Sequence, residues 1–385
     1  MEQKMTFEEE IASLNKNYFF KEFTYSNTRF KQKSKNEVEL ADGLLWLGDE
    51  LIIYQLKERN VTNTTPEEEK KWFEEKVEKK GKRQTKDTLK YLGEEKSIPL
   101  ENHRGHTFEL SMQKVTRIQK LILFKPSSSL PPDILSRKFV KSSIAGIIHL
   151  LSTDDYAGLV KTLMTPAEFI HYLAYREQLI DKWHKELDTL PEQALVGHFI
   201  MDDINLRPDS SHVKILSEID HEIEKWDISG VISKYGDRIT RADNAHDYYQ
   251  IITPLAQMNR SELREFRMRY ELAIQKARED KYDKPYRIAF PRMNCGFIFI
   301  PILTNEIVDR EKILTSLTEL HKYDQRLRKC IGMTFAKDGT EHYTIEWYLL
   351  DGPWAKDSEI EDYLSQNSPF RQVKEQTVFS FKKNG

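Results

Sequence analysis

EVELADG at residues 37–43 and LIIYQLK at residues 51–57 are the two stretches that decide the fold of this chain. Apolar residues recur through both, and the Gly-Asp dipeptide at 48–49 between them is typical of a tight turn. We therefore predict an antiparallel hairpin whose strands cover residues 37–46 and 50–57.

Three polar residues of this hairpin form a candidate active site. Alternate residues of a strand share a face, so Gln55 and Lys57 point the same way and the hairpin can bring Asp42 alongside them. A lysine beside the apolar run LIIY is costly to bury unless an acid pairs with it. The alternative is that Asp42 belongs to an Asp-Gly turn and Lys57 is an exposed residue at the end of its strand.

These residue types suit the hydrolysis of phosphodiester bonds. Carboxylate and amide oxygens are the ligands that a hard divalent cation such as Mg²⁺ prefers. A bound cation polarises a phosphate and activates water, and a lysine ammonium can stabilise the charge that develops.

Two predicted helices flank the hairpin. Residues 6–22 begin with Thr6 as a cap and carry three glutamates in the first turn, where carboxylates suit the helix dipole. A second helix begins with a Thr-Pro pair, covers residues 65–92 and is interrupted at Gly81. Further strand-like runs lie at residues 106–124 and 139–151.

An acid followed on the next strand by Gln-x-Lys resembles the PD-(D/E)xK nuclease superfamily, and the Gln form is similar to its Mrr-like restriction branch. The resemblance covers about residues 5–150 and implies an αβββαβ restriction-endonuclease-like core. It implies Asp42 as the principal metal ligand, Gln55 as the second ligand and Lys57 as the catalytic lysine. Ala41 stands where the family usually has proline.

The same resemblance implies a further carboxylate and a metal cofactor. The family often adds a glutamate from the first helix, for which Glu8, Glu9 and Glu10 are candidates, with Glu10 preferred. Glu39 is another candidate ligand because it precedes Asp42 on the same predicted strand. Mg²⁺ is the implied cofactor, with Mn²⁺ as the alternative.

A basic cluster in the second helix is the candidate nucleic-acid surface. Five of its residues follow the spacing of one helix face: Lys79, Lys82, Arg83, Lys86 and Lys90. Such a face can neutralise phosphates. Gln84 is close to a position where related nucleases often carry a Gln or Lys that faces the site. The alternative is a solvated face, balanced by the glutamates earlier in the helix.

Length and composition suggest two domains and a cytoplasmic location. With 385 residues we predict a nuclease domain over residues 1–185 and an α+β domain over 186–385. The latter has a predicted helix at 257–280 and strands at 285–303, 331–336, 341–350 and 377–382. The net charge of −3 means that any nucleic-acid surface must be local, and the two cysteines favour a reducing compartment. No apolar run is long enough to predict a membrane span.

The sequence therefore favours a metal-dependent DNA endonuclease, and the resemblance implies a role in prokaryotic defence together with a protein partner. A catalytically inactive DNA-binding or assembly module and an RNA-directed nuclease are the alternatives. Double-strand cleavage would suggest a homodimer. The histidines at 103 and 106 lack further ligands at metal-binding spacing, so we interpret them as part of a polar loop.

Overall fold

The structure, a computed structural model, describes residues 5–26, 28–32, 36–61, 63–219, 225–238, 246–281, 283–339 and 342–371. These residues form two compact units. The first contains the described residues up to Ile219 together with Ser229–Arg238, and the second contains residues 225–228 and the described residues from 246 onwards. The predicted division at 185/186 lies earlier in the chain than this one, because Glu192 and its neighbours pack in the first unit, where Glu192 binds Arg176.

The first unit contains helices and strands that pair in both parallel and antiparallel directions. Its helices are α1 (Phe7–Tyr18), α2 (Pro66–Trp72), α3 (Gly81–Glu94), α4 (Pro132–Leu135), α5 (Thr153–Leu163), α6 (Pro166–Leu187), α7 (Glu192–Met201), α8 (Val213–Ile219) and α9 (Ser229–Arg238). Its strands are β1 (Thr24–Ser26), β2 (Arg29–Lys31), β3 (Glu37–Glu39), β4 (Gly43–Leu47), β5 (Glu50–Glu58), β6 (Ile98–Glu101), β7 (Thr107–Leu110), β8 (Arg117–Lys125), β9 (Phe139–Ser142) and β10 (Gly146–Ser152). Short 3₁₀ turns lie at Met112–Lys114 and Ser210–His212.

A six-stranded sheet with the order β1-β4-β5-β8-β10-β9 forms the centre of the first unit. The first two neighbouring pairs are antiparallel, β5 runs parallel to β8 and β8 runs parallel to β10, and the last pair is antiparallel. β2 with β3 and β6 with β7 form two further two-stranded sheets. The predicted α/β class is therefore confirmed at the level of a mixed α/β protein.

The first half of the predicted hairpin is only partly right. The β4–β5 hairpin is present, with Gly48 at φ 62° in its turn. The prediction of a single strand over residues 37–46 is wrong. Residues 37–39 form β3 and pair with β2, whereas β4 begins at Gly43 and pairs with β5. The hydroxyl of Thr28 donates to the carbonyl of Ala41 at 2.5 Å and accepts from its N–H at 2.9 Å. Both backbone polar groups of Ala41 are thereby satisfied outside a strand ladder.

The helix that follows the hairpin is continuous from Pro66 to Glu94, with a π-helical segment at Phe73–Lys80 between α2 and α3. Thr65 caps it, as the sequence predicts. The predicted interruption at Gly81 is wrong: a Cβ there would lie 2.6 Å from Cδ1 of Ile122 on β8, so glycine allows the helix to approach the sheet closely. α1 also has its predicted Thr6 cap, but it ends at Tyr18.

The second unit has a four-stranded sheet with helices. Its helices are α10 (Tyr249–Ala256), α11 (Arg260–Glu279), α12 (Arg310–Asp324) and α13 (Ser358–Asn367), and its strands are β11 (Tyr286–Phe290), β12 (Cys295–Ile302), β13 (Lys329–Asp338) and β14 (His342–Asp351). The strand order is β11-β12-β13-β14, and α12 connects the parallel pair β12 and β13. Short 3₁₀ turns lie at Pro291–Met293 and Thr304–Asp309. The predicted strand at 377–382 lies outside the described residues.

Gly332 in β13 allows α12 to pack closely on this sheet. A Cβ at this position would lie 2.0 Å from Oγ1 of Thr318, whose hydroxyl is held by the carbonyl of Leu314. We expect Gly332→Ala to destabilise the second unit by about 1–3 kcal/mol, the usual cost of overpacking. Amide hydrogen exchange along β13 would measure the loss. Gly352→Ala is the matched control, because nothing lies within 4 Å of a Cβ there, and equal effects of the two substitutions would contradict the prediction.

Within the part of the chain that the structure describes, no helix has the length and apolar character needed to cross a lipid bilayer.

Candidate active site

Asp42 and Lys57 form a largely buried ion pair at one end of the central sheet. Asp42 immediately precedes β4, and Lys57 is the penultimate residue of β5. Their Oδ2 and Nζ atoms are 3.5 Å apart, and the side chains are 11% and 7% exposed. Oδ2 of Asp42 also accepts the N–H of Leu56 at 2.5 Å, and Nζ of Lys57 donates to the carbonyl of Leu56 at 2.7 Å. The hairpin thus places an acid and a lysine side by side.

Gln55 adds a buried amide to the same face of β5. The last registered pair of the hairpin is Gly43 with Tyr54, so Asp42 comes next to Gln55. Gln55 is 2% exposed, and its Oε1 is buried without a hydrogen-bond partner among the described residues. A buried carbonyl oxygen that lacks a donor is costly, so an ion or water at this position would satisfy it.

Glu39 acts electrostatically on this pair, and Glu8 acts on Glu39. Partial desolvation, the carboxylate of Asp42 and that of Glu8 raise the pKa of Glu39. Burial lowers the pKa of the Lys57 ammonium, and the attraction of Asp42 only partly offsets this. The region therefore gathers negative charge from β3, from the segment before β4 and from the first turn of α1. Such a concentration of carboxylates favours a cation.

The preferred helix glutamate, Glu10, is engaged elsewhere. Its Oε2 lies 2.8 Å from Nζ of Lys125, which is also 4.0 Å from Glu58. Lys125 is registered with Glu58, and Glu58 points to the opposite face of β5 from Lys57. Of the three candidate glutamates, Glu8 is the one whose charge acts on Glu39. The sequence could not distinguish them, because all three lie in one helical turn. Glu9 instead completes the capping box of Thr6.

Most of the predicted basic face points away from the sheet. The residues of α3 that are buried are Gly81, Thr85, Thr88 and Leu92. Arg83 and Lys90 are exposed and Lys82 and Lys86 are half-buried, as expected for the other side of this helix. Lys90 lies 3.8 Å from Glu94. Lys79 is also exposed, but it belongs to the π-helical segment, where the α-helical spacing used to align it does not apply.

Lys80, although exposed, is the helix lysine whose charge acts on Lys57. The charge of Lys80 contributes to the lowered pKa of Lys57. Gln84 lies one turn from the buried Thr88, and its Oε1 is buried with no hydrogen-bond partner among the described residues. The hydroxyl of Thr88 donates to the carbonyl of Leu40 at 2.5 Å and so ties α3 to the segment that carries Asp42. Lys80 was missed because it does not share the periodicity of the basic face, although it lies four residues before Gln84.

No group of three or more His, Cys, Asp or Glu side chains arranged for a metal ion occurs among the described residues. The buried amide oxygen of Gln55, which has no hydrogen-bond partner among the described residues, is a further oxygen ligand available at this site. His103 and His106 belong to a loop between β6 and β7, as predicted.

A comparison of the chain with family models, curated proteins and solved structures found no match.

Proposed function

We propose that the first unit is a metal-dependent endonuclease that hydrolyses DNA phosphodiester bonds at the cluster of Asp42, Gln55, Lys57 and Glu39. The observation that carries this proposal is the buried, unpartnered Oε1 of Gln55 beside the Asp42–Lys57 pair. A protein that needed these residues only for stability would gain nothing from an unsatisfied amide among charges.

The order of the elements supports the same proposal. α1, β1, β4, β5, the long helix and β8 follow one another, with two antiparallel pairs and then a parallel pair. This order is similar to the αβββαβ order that the PD-(D/E)xK resemblance implies, with the β2–β3 pair inserted after the first strand and the β6–β7 pair inserted before the last. Asp42 directly precedes the second strand of that order, Gln55 and Lys57 lie on the third, and Glu39 lies on the inserted strand β3.

The donor set fits Mg²⁺ or Mn²⁺, which take oxygen ligands. Asp42, Gln55 and Glu39 would hold the ion, and Glu8, rather than Glu10, is the helix carboxylate whose charge acts on Glu39. When bound, such an ion polarises the scissile phosphate and lowers the pKa of a water molecule. Lys57 orients that water and stabilises the negative charge that develops on the phosphate. Asp42 holds the Lys57 ammonium in place, and Lys80 adds positive charge from the helix.

A catalytically inactive DNA-binding module is the second candidate. The carboxylate of Asp42 is already engaged by the N–H of Leu56 and by Lys57, which would suit a residue with a structural role. An RNA-directed nuclease remains a variant of the first proposal, since neither a cation nor a lysine selects the sugar. By resemblance we also propose a role in prokaryotic defence, a protein partner, and a second copy of the chain for double-strand cleavage.

Incubation of the full chain with Mg²⁺ or Mn²⁺ and with plasmid DNA, linear DNA or RNA tests this proposal. We expect the wild type to cut DNA and Asp42→Ala to cut at least about 100-fold more slowly, because a metal ligand is lost. Asp49→Ala is the matched control, since Asp49 lies at the other end of the β4–β5 hairpin. If the wild type cuts none of these substrates, with or without the products of neighbouring genes, the enzyme proposal fails.

A further inference from the structure

A polar cavity of about 590 Å³ lies in the first unit, outside the cluster just described. Ser26, Thr28 and Arg29 line one side of it, and the β6–β7 hairpin lines the other. Its volume is within the range of small-molecule sites.

The cavity shares a wall with the candidate metal ligands. The hydroxyl of Thr28 binds both polar groups of Ala41, the residue before Asp42. Arg29 is registered opposite Glu39 across β2 and β3, and its charge acts on the Glu39 carboxylate. A ligand in the cavity would therefore contact two residues, Thr28 and Arg29, that interact with the segment carrying Glu39 and Asp42.

On the hairpin side of the cavity, His103 is uncharged and is held by two hydrogen bonds. The hydroxyl of Thr24 donates to the carbonyl of Phe20 at 2.9 Å, so it must accept the proton on Nδ1 of His103, 2.8 Å away. Nε2 of His103 then accepts the hydroxyl of Ser26 at 2.8 Å. This assignment requires a neutral imidazole, and burial, together with the charge of Lys16, lowers the pKa of His103 to about 4.

Arg29 consequently supplies the positive charge of the cavity wall. Its side chain is exposed, and it forms no ion pair within 4 Å of any carboxylate in the described part of the chain. Glu101, on the hairpin side, adds a hydrogen-bond acceptor of the kind that binds base amino groups. One cation and one acceptor in a polar cavity match a nucleotide, which carries a phosphate and a base.

We propose that this cavity holds one nucleotide of the substrate strand beside the cleaved bond, with its phosphate on Arg29 and its base towards Glu101. This inference rests on the proposed nuclease function. A free nucleotide has the same chemistry, and the experiment separates the two sources.

Binding measured without cleavage tests the proposal. In the first titration, the full-length protein in EDTA is added to a short fluorescein-labelled single-stranded DNA at a series of salt concentrations. In the second, deoxynucleoside monophosphates are added to the full-length protein in EDTA. We expect Arg29→Gln to weaken DNA binding about tenfold, the effect of one charged hydrogen bond, and to reduce the slope of log affinity against log salt by about 1. Thr107→Tyr, which places a ring in the cavity, should weaken binding without changing that slope. Arg117→Gln is the matched control, because Arg117 pairs with Glu50 at the far end of β5.

The outcomes distinguish failure of the nucleotide site from failure of the nuclease proposal. Unchanged affinity and salt slope in Arg29→Gln would overturn the nucleotide site, and the nuclease proposal would survive if Asp42→Ala still abolished cutting. If Arg29→Gln weakens the binding of monophosphates but not the binding of DNA, the assignment of the cavity to the substrate strand is overturned. If Arg29→Gln weakens DNA binding and the wild type cuts no substrate, the cavity is supported as a nucleic-acid contact. The same pair of results counts against the proposal that the protein is a nuclease.

Discussion

Lys57→Met is expected to reduce the rate of DNA cleavage at least about 100-fold while leaving DNA binding mostly intact. The ammonium of Lys57 is the cation that the proposed reaction uses to stabilise developing charge, and loss of one such donor costs roughly 10²–10³ in rate. Methionine keeps the length and apolar stem of the side chain, so the change removes mainly the charge. Single-turnover cleavage of a labelled DNA and anisotropy binding in EDTA would measure the two effects.

Lys120→Met is the matched control for this substitution. Lys120 lies on β8 next to β5, its side chain is 13% exposed, and it pairs with Glu177 at 3.9 Å. Burial lowers the pKa of this lysine too, so both variants remove a largely buried strand cation. We expect Lys120→Met to retain cleavage close to that of the wild type. Equal losses in both variants would indicate that charge removal disturbs the sheet, and retained cleavage in Lys57→Met would contradict the assigned role.

Glu192→Gln is expected to destabilise the first unit by about 3–5 kcal/mol, the cost of leaving a buried charge without its partner. Glu192 is 2% exposed and receives two hydrogen bonds from the fully buried Arg176, at 2.7 and 3.1 Å. Lys138 is also buried and lies 3.3 Å from the same carboxylate. Neutralising Glu192 therefore leaves two buried cations uncompensated. Thermal unfolding should shift by roughly 10 °C, given about 2–4 °C per kcal/mol for a unit of this size.

Glu186→Gln is the matched control for Glu192→Gln, because it makes the same chemical change in a more exposed ion pair. Glu186 pairs with Arg207 at 3.8 Å, and the two side chains are 30% and 69% exposed. An exposed ion pair contributes at most about 1 kcal/mol, so this variant should unfold close to the wild type. A similar loss of stability in both variants would contradict the assigned importance of burial.

The stability of the wild type should also fall in acid because of Glu192. Burial alone would raise its pKa, but Arg176 and Lys138 outweigh burial and lower the pKa to about 2. A lowered pKa means that this contribution is present above the unfolded-state pKa of about 4.3 and is lost as the pH falls towards 2. Glu192→Gln should lack that contribution throughout. Urea unfolding between these pH values would show a smaller pH dependence in the variant.

The amino-acid sequence alone determined the local features of this protein. The Thr6 and Thr65 caps, the turn at Gly48 and the strand character of residues 50–57 depend on side chains within a few residues of one another. The cost of burying a lysine among apolar residues also predicted that Lys57 would need a partner, and Asp42 lies 3.5 Å from it.

Only the tertiary structure decided which residues meet at the candidate site. Glu8 and Glu10 are equivalent in sequence, yet Glu10 binds Lys125, which lies 115 positions further along the chain. The break between β3 and β4 depends on the Thr28 hydroxyl, and the π-helical segment changes which lysines face the sheet. Spacing predicts that residues share a face, but which face packs inward depends on contacts between distant segments, because burial is a property of the assembled layers.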